Sequence, residues 1–210
     1  MIRIVKIEKI KRTKAWYNVI LENGEYFVAN DEIIYRENLK EGNRIKSHLL
    51  KKLEEEGEEK RGKEIALKSL SRRERSEKEI RSRLKIKGIG EKAEDNIIKN
   101  LKKYEYLNDR EFARRFVNNF MNKKPSGRKL VSFELRKRGI SEQIIEEELD
   151  SFFSKIDEKE LAYRALKKKL KSLTNFSING RKKKVSDFLF RRGFSWEIID
   201  EVIKDTILED

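Results

Sequence analysis

Apolar residues in the second half of the chain recur every three or four positions and then stop at a glycine. In residues 128–149, RKLVSFELRKRGISEQIIEEEL, Val131 and Leu135 precede Gly139 by eight and four positions, Ile140 follows it, and Ile145 and Leu149 lie six and ten beyond. That spacing lines one face of a helix on either side of the glycine. The same offsets from Gly88 give Ile80, Leu84, Ile89, Glu94 and Ile98, and from Gly193 they give Val185, Leu189, Phe194, Ile199 and Ile203. Only Glu94 breaks the pattern. The anchors lie 51 and 54 residues apart, the signature of stacked helical units. Each copy predicts a helix with a basic last turn, a glycine at positive φ, and a second helix capped at Ser141, Ser195 or, in the first copy, Gly90.

A further helix leads each copy. Phe112, Ala113, Phe116, Val117 and Phe120 predict one from about Asn108, and Leu161, Ala162, Ala165, Leu166 and Leu170 another from about Asp157. Residues 64–70 lead the first copy, where Ser76 and Glu79 form a capping box for the helix that follows. Turns are expected at 123–127, which holds the only proline, and at 175–180. Near the N-terminus the period shortens. Residues 2–10 alternate, and 15–21 and 26–29 are β-rich around Asn23-Gly24, a two-residue hairpin signal. Residues 1 to about 30 therefore predict a three-stranded meander with Trp16, Phe27 and Val28 as candidates for its apolar face, covered by helical turns at 31–39 and 45–53. Residues 51–63, KKLEEEGEEKRGK, read as a linker or a frayed helix end. The expected architecture is mainly α: a β-rich element and linker over 1–60, then three tandem three-helix repeats over 61–108, 109–156 and 157–210, in an elongated array.

With 37% apolar and 43% charged residues, the 210-residue chain has too little apolar material for one large core, and repeats tolerate that balance. A formal net charge of +14 points to a polyanionic partner, nucleic acid ahead of a membrane surface. No apolar run approaches the roughly 18 residues of a spanning helix, so the expected compartment is the cytosol. The absence of cysteine removes disulfides and thiolate chemistry, and His48 is the only histidine, so His-based metal sites and Ser/His/Asp triads lack partners. No phosphate-binding glycine loop of the Walker or dinucleotide type occurs. Carboxylates are abundant but spread, which leaves a metal-dependent nuclease as an open alternative. Residues 84–98, LKIKGIGEKAEDNII, resemble a helix-hairpin-helix, whose glycine turn offers backbone amides to a phosphate. Serine replaces the second glycine in the other two copies, so helix capping is the shared requirement there.

The cations are segregated. Basic outnumber acidic residues eight to three over 72–87, seven to one over 123–138 and six to one over 181–192, whereas 141–150 carries Glu142, Glu146, Glu147, Glu148 and Asp150 unopposed. Stacked in register, the second helices would form a positive stripe and the third helices a negative one. Candidate contacts to DNA or a protein partner are Arg72, Arg73, Arg75, Arg81 and Arg83 in the first repeat; Arg114, Arg115, Lys123, Lys124, Arg128, Lys129, Arg136 and Arg138 in the second; and Arg181, Lys182, Lys183, Lys184, Arg191 and Arg192 in the third. Arginine at many of these places suits bidentate contacts to phosphate or carboxylate.

Three segments carry a family resemblance: SRRERSEKEIRSRLKIKG at 71–88, YLNDREFARRFV at 106–117 and GRKLVSFELRKRGISEQIIEEEL at 127–149, with a more divergent copy, NGRKKKVSDFLFRRGFSWEIIDEVI, at 179–203. Over about residues 61–208 the chain resembles the RecX family of recombination regulators, in which the N-terminal hairpin is a variable extension. The resemblance implies a non-enzymatic, cofactor-free modulator that docks, as a monomer, along the RecA recombinase filament on DNA, single-stranded or duplex, and suppresses its ATPase, strand-exchange and co-protease activities. It supplies no catalytic residues. A stand-alone nucleic-acid-binding protein is the alternative.

Overall fold

The computed structural model describes residues 1–13, 15–170, 173 and 176–208. They fall into two units, Met1–Leu107 and Asn108–Asp210.

The first unit opens with an antiparallel sheet of β1 (Ile2–Lys9), β2 (Trp16–Leu21), β3 (Tyr26–Asn30) and β4 (Arg44–Ile45), in the order β3-β2-β1-β4. There are four strands and not three, because Arg44–Ile45 pairs with Ile2 and Arg3 and carries Ile45 into the core. The hairpin also differs from expectation. Backbone pairing continues to Leu21 and Glu25, so the loop has three residues with Gly24 at φ +84°, the loop length that places a left-handed residue last. Phe27 and Val28 occupy opposite faces of β3, as the period of two requires. Phe27 packs with Ile4, Val19 and Leu21 under α1 (Asp31–Arg36), which the Asn30 side chain caps at the Ile33 amide.

Val28 and Trp16 are buried too, by α2 (Ser47–Leu70). This single 24-residue helix runs straight through the stretch expected to be a linker or a frayed helix end, and position 60 falls inside it. Its two glycines are packing positions. A Cβ on Gly57 would lie 1.8 Å from the Val28 carbonyl oxygen, and one on Gly62 would lie 2.4 Å from Ile97 Cδ1. The surrounding charges pair outward, Arg36 with Glu56 at 2.7 Å and Lys60 with Glu32 at 2.9 Å. The C-terminal half of α2 joins α3 (Glu77–Ile86) and α4 (Glu91–Lys103) as the first repeat.

The second unit contains α5 (Asp109–Lys123), α6 (Arg128–Lys137) and α7 (Glu142–Phe153), then α8 (Glu158–Leu170), α9 (Ile178–Arg191) and α10 (Trp196–Ile203). Gly88, Gly139 and Gly193 have φ of +75°, +81° and +79°. At each, the glycine amide bonds the carbonyl three residues back and the next amide bonds the carbonyl five back, Ile89 to Leu84 at 3.1 Å and both Ile140 to Leu135 and Phe194 to Leu189 at 3.2 Å. This pair of hydrogen bonds is the Schellman arrangement, with the hydrophobic contact across it that usually accompanies it. Leu84, Leu135 and Leu189 are fully buried at equivalent places. Ser195 caps α10 through its side chain; Ser141 holds the cap position of α7 with extended backbone but makes no such bond. The turn expected at 175–180 is shorter than that, because Ser177 caps α9 and residues 178–180 are already helical, while residue 175 lies outside the described residues.

The exception at Glu94 has a partner. Arg81, where the other copies have Ser132 and Ser186, places Nη1 2.8 Å from Glu94 and 2.7 Å from Asp95, and Nε 2.7 Å from Glu77. In the first repeat an ion pair thus joins α3 to α4 where the others use an isoleucine.

Candidate nucleic-acid interface

In repeats one and two the basic and acidic helices lie side by side, so charges segregated along the chain meet in space. Arg81 reaches Glu94 and Asp95, Arg128 lies 2.6 Å from Asp150, and Arg136 binds Glu142 through two nitrogens. Each pair ties a second helix to the third helix of its own repeat. The acidic face of α7 is met from α5 as well: Arg110 pairs with Glu147, and Arg114 approaches the buried Glu148 to 3.5 Å. The hydrogen bond from Arg136 holds the Glu142 carboxyl below its usual range, and Gln143 followed by Arg110 does the same for Glu147. Within repeats one and two, cations and carboxylates expected on separate stripes therefore neutralise one another in pairs.

Other candidates serve the fold. Arg73 bonds Glu79 at 2.7 Å, Arg115 bonds Glu111 at 2.7 Å, and Arg138 bonds Glu134 at 2.7 Å with its guanidinium 4.3 Å from the Phe116 ring centre. Arg75 donates to the Ser69 carbonyl at 3.2 Å, and burial pushes its guanidinium pKa down. Arg83 Nε is buried with no hydrogen-bond partner. In the third repeat Arg181 donates to the Phe176 carbonyl, Lys184 sits over the Phe176 ring at 4.4 Å, and Arg192 donates to Pro125 and lies over Phe188 at 4.9 Å. Lys124 lies over Phe120 at 5.8 Å. Of the candidate cations, Arg72, Lys123, Lys129, Lys183 and Arg191 are exposed with no ion pair to a carboxylate among the described residues, as are Lys124 and Lys184 beside their rings, and Lys182 is half-buried and likewise unpaired.

The glycine turn of the first repeat is already occupied. The Gly90 amide donates to the Glu58 carboxylate at 2.6 Å, so a side chain of α2 fills the place where a helix-hairpin-helix would hold a phosphate.

In the second unit, repeats two and three meet at a glycine contact. The Gly127 amide donates to the Arg192 carbonyl at 2.9 Å and the Lys129 amide to the Gly193 carbonyl at 3.3 Å. This docks the first turn of α6 on the turn between α9 and α10 and seats the Lys129 backbone against Gly193, two residues after Arg191. A feature that charge counting missed lies here: Phe190 and Trp196 stack with ring centres 5.2 Å apart while staying 53% and 52% exposed. Their positions, three before and three after Gly193, match those of Arg136 and Glu142 around Gly139, and that register was the available signal.

Comparison with known proteins agrees with this anatomy. Family models for the first, second and third three-helix domains of RecX match residues 63–101, 108–149 and 157–203, in that order. The regulatory protein RecX of Clostridium botulinum (strain Eklund 17B / Type B) is 34% identical over 209 residues, covering 99% of this chain and 97% of that one. The chain belongs to the RecX family. The RecX protein of Clostridium beijerinckii is 32% identical over 216 residues, covering 100% and 98%. Likeness to RecX thus extends beyond residues 61–208 into the N-terminal sheet. Among solved structures, a crystal structure of regulatory protein RecX covers both chains completely at 25% identity with a TM-score of 0.68, and that of RecX from Lactobacillus salivarius covers 72% of this chain and 97% of the other at 28% identity and 0.64. RecX proteins are regulatory, and no helix among the described residues is long and apolar enough to cross a membrane.

Proposed function

We propose that this chain is a non-enzymatic cytoplasmic regulator of recombination and DNA repair, which acts as a monomer. It binds the RecA recombinase filament on DNA and reduces ATP hydrolysis, strand exchange and co-protease activity. The observation that carries the reading is the ordered match of all three RecX three-helix domains to three units built on the same glycine turn. The cations left without carboxylate partners are the candidates for the DNA side of the contact, and the paired arginines hold the repeats together.

The test is recombinase ATP hydrolysis on single-stranded DNA with added protein. Hydrolysis should fall, and replacing Arg72, Lys123, Lys129, Lys183 and Arg191 with Gln should weaken the effect. The same replacements should flatten its salt dependence by about 0.7 log units per log salt for each lost phosphate contact on a single strand. Undiminished hydrolysis at saturating protein would overturn the proposal. A second reading, a nucleic-acid-binding protein that acts without a recombinase, draws on the net charge of +14. It wins if filter binding shows tight DNA capture while hydrolysis is untouched.

A further inference from the structure

Repeats one and two place charged residues at the positions three before and three after the turn glycine: Lys85 and Glu91, then Arg136 and Glu142. Repeat three places two stacked rings there. Phe190 and Trp196 turn about half their surface to solvent, although Phe194, Leu189 and Ile199 in the same turn are buried to within 1%. Burial therefore does not explain the aromatic pair. Two cations lie close to the rings along the chain and across the repeat contact. Arg191 is exposed and unpaired, and Lys129 arrives from repeat two, its backbone N–H donating to the Gly193 carbonyl. The Glu197 carboxylate is turned back on its own helix, its pKa lowered by its own amide, by Ser195 and, more weakly, by Lys129. Asp187 and Asp200 lie one turn before Phe190 and one turn after Trp196, so phosphates are better placed on the Arg191 and Lys129 side.

We propose that the Phe190 and Trp196 stack is a platform for an unpaired nucleobase of single-stranded nucleic acid, with Arg191 and Lys129 holding the adjoining phosphates. Ring faces accept any base, and a single strand offers bases free of a stacking partner on one side, which a duplex does not. The inference rests on the nucleic-acid side of the reading above and does not need the recombinase.

Trp196 is its own probe. The other tryptophan, Trp16, is 4% exposed and donates to Glu64 in the first unit, so the difference between the native chain and Trp196→Phe isolates the Trp196 emission. Oligo(dT) should quench that emission saturably, and an abasic strand of equal length should bind more weakly and quench little. Replacing Phe190 and Trp196 together by Ala should lower oligo(dT) affinity by about 5- to 150-fold and leave abasic-strand affinity unchanged. Arg191→Gln, which leaves the rings in place, should weaken both strands. Equal affinity for the two strands would overturn the platform. So would quenching by the recombinase without DNA, or by raising the concentration of the chain itself, since each places a protein on the rings. If oligo(dT) quenches and recombinase hydrolysis stays unaffected, the platform stands and the filament reading falls. If hydrolysis falls normally with the double Ala variant and its oligo(dT) affinity is native, the reverse holds.

Discussion

Gly88 and Gly193 share a backbone conformation but not an environment, and the pair separates two physical effects. At Gly88, φ is +75° and a Cβ would meet nothing within 4 Å. Alanine there carries only the left-handed penalty, about 1 kcal/mol. At Gly193, φ is +79° and the Cβ would lie 2.3 Å from the Leu130 amide nitrogen, 2.7 Å from its Cβ and 3.0 Å from its Cα. Two of those atoms are backbone at the first turn of α6, so the two repeats must separate to admit the methyl. Overpacking of this kind costs about 1 to 3 kcal/mol, which brings Gly193→Ala to roughly 2 to 4 kcal/mol. Urea unfolding followed by tryptophan emission reads both changes, because Trp16 reports the unit that holds Gly88 and Trp196 the unit that holds Gly193. With a slope near 2 kcal/mol per molar urea, the midpoint should drop by about 0.5 M for Gly88→Ala and by about 1 to 2 M for Gly193→Ala. Equal shifts would refute the wedged contact between α6 and the third turn, and a rise at Gly88 would refute its left-handed backbone.

Gly57→Ala should destabilise the first unit by about 2 kcal/mol or more despite alanine's better helix propensity, because the methyl meets the Val28 carbonyl; a higher midpoint would show that α2 is not pressed on β3. Leu135→Ala should cost about 2 to 5 kcal/mol in the second unit, and a change within roughly 0.5 kcal/mol would deny its burial. Arg81→Ser alone should lose about 1 kcal/mol, and Arg81→Ser with Glu94→Ile, which copies the other repeats, should recover most of it; a double-mutant cycle without coupling would reject the exchange of ion pair for apolar contact. Glu56, hydrogen-bonded by Arg36, has its pKa lowered from 4.5 to about 2, so its contribution is present above pH 4.5 and lost as pH falls toward 2. Glu56→Gln should therefore lower stability at neutral pH and flatten the decline between those values, and parallel native and variant curves there would contradict the pairing.

The repeat was legible because one local requirement, a left-handed residue at a helix end, recurs with its apolar neighbours and leaves a mark at fixed spacing. Gly57 and Gly62 show where that logic fails. A glycine that ends a helix and a glycine that lets a helix press on another element are the same letter, and only Val28 and Ile97, distant in sequence, tell them apart. Charge failed for a related reason. Arg128 and Asp150 lie on different helices and were counted in different stripes, although adjacent antiparallel packing makes them partners. The strand at Arg44–Ile45 is two residues long and carries no period of its own.

The reach of α2 also bears on how such a protein can be rearranged by evolution or by an engineer. With Leu53 in the core of the sheet and Ala66 in the core of the first repeat, the helix is a shared beam, and the first repeat is not a cassette that can be lifted out. Severing the chain after residue 60 would leave helical stumps of 14 and 10 residues, at or below the ~12–15 residues where an isolated helix is marginal, and each would lose half of its support. The two repeats that follow are bound in the same way, by one common core and the contact of Gly127 with the third turn, so they move only as a pair, while the first travels only with the strands before it.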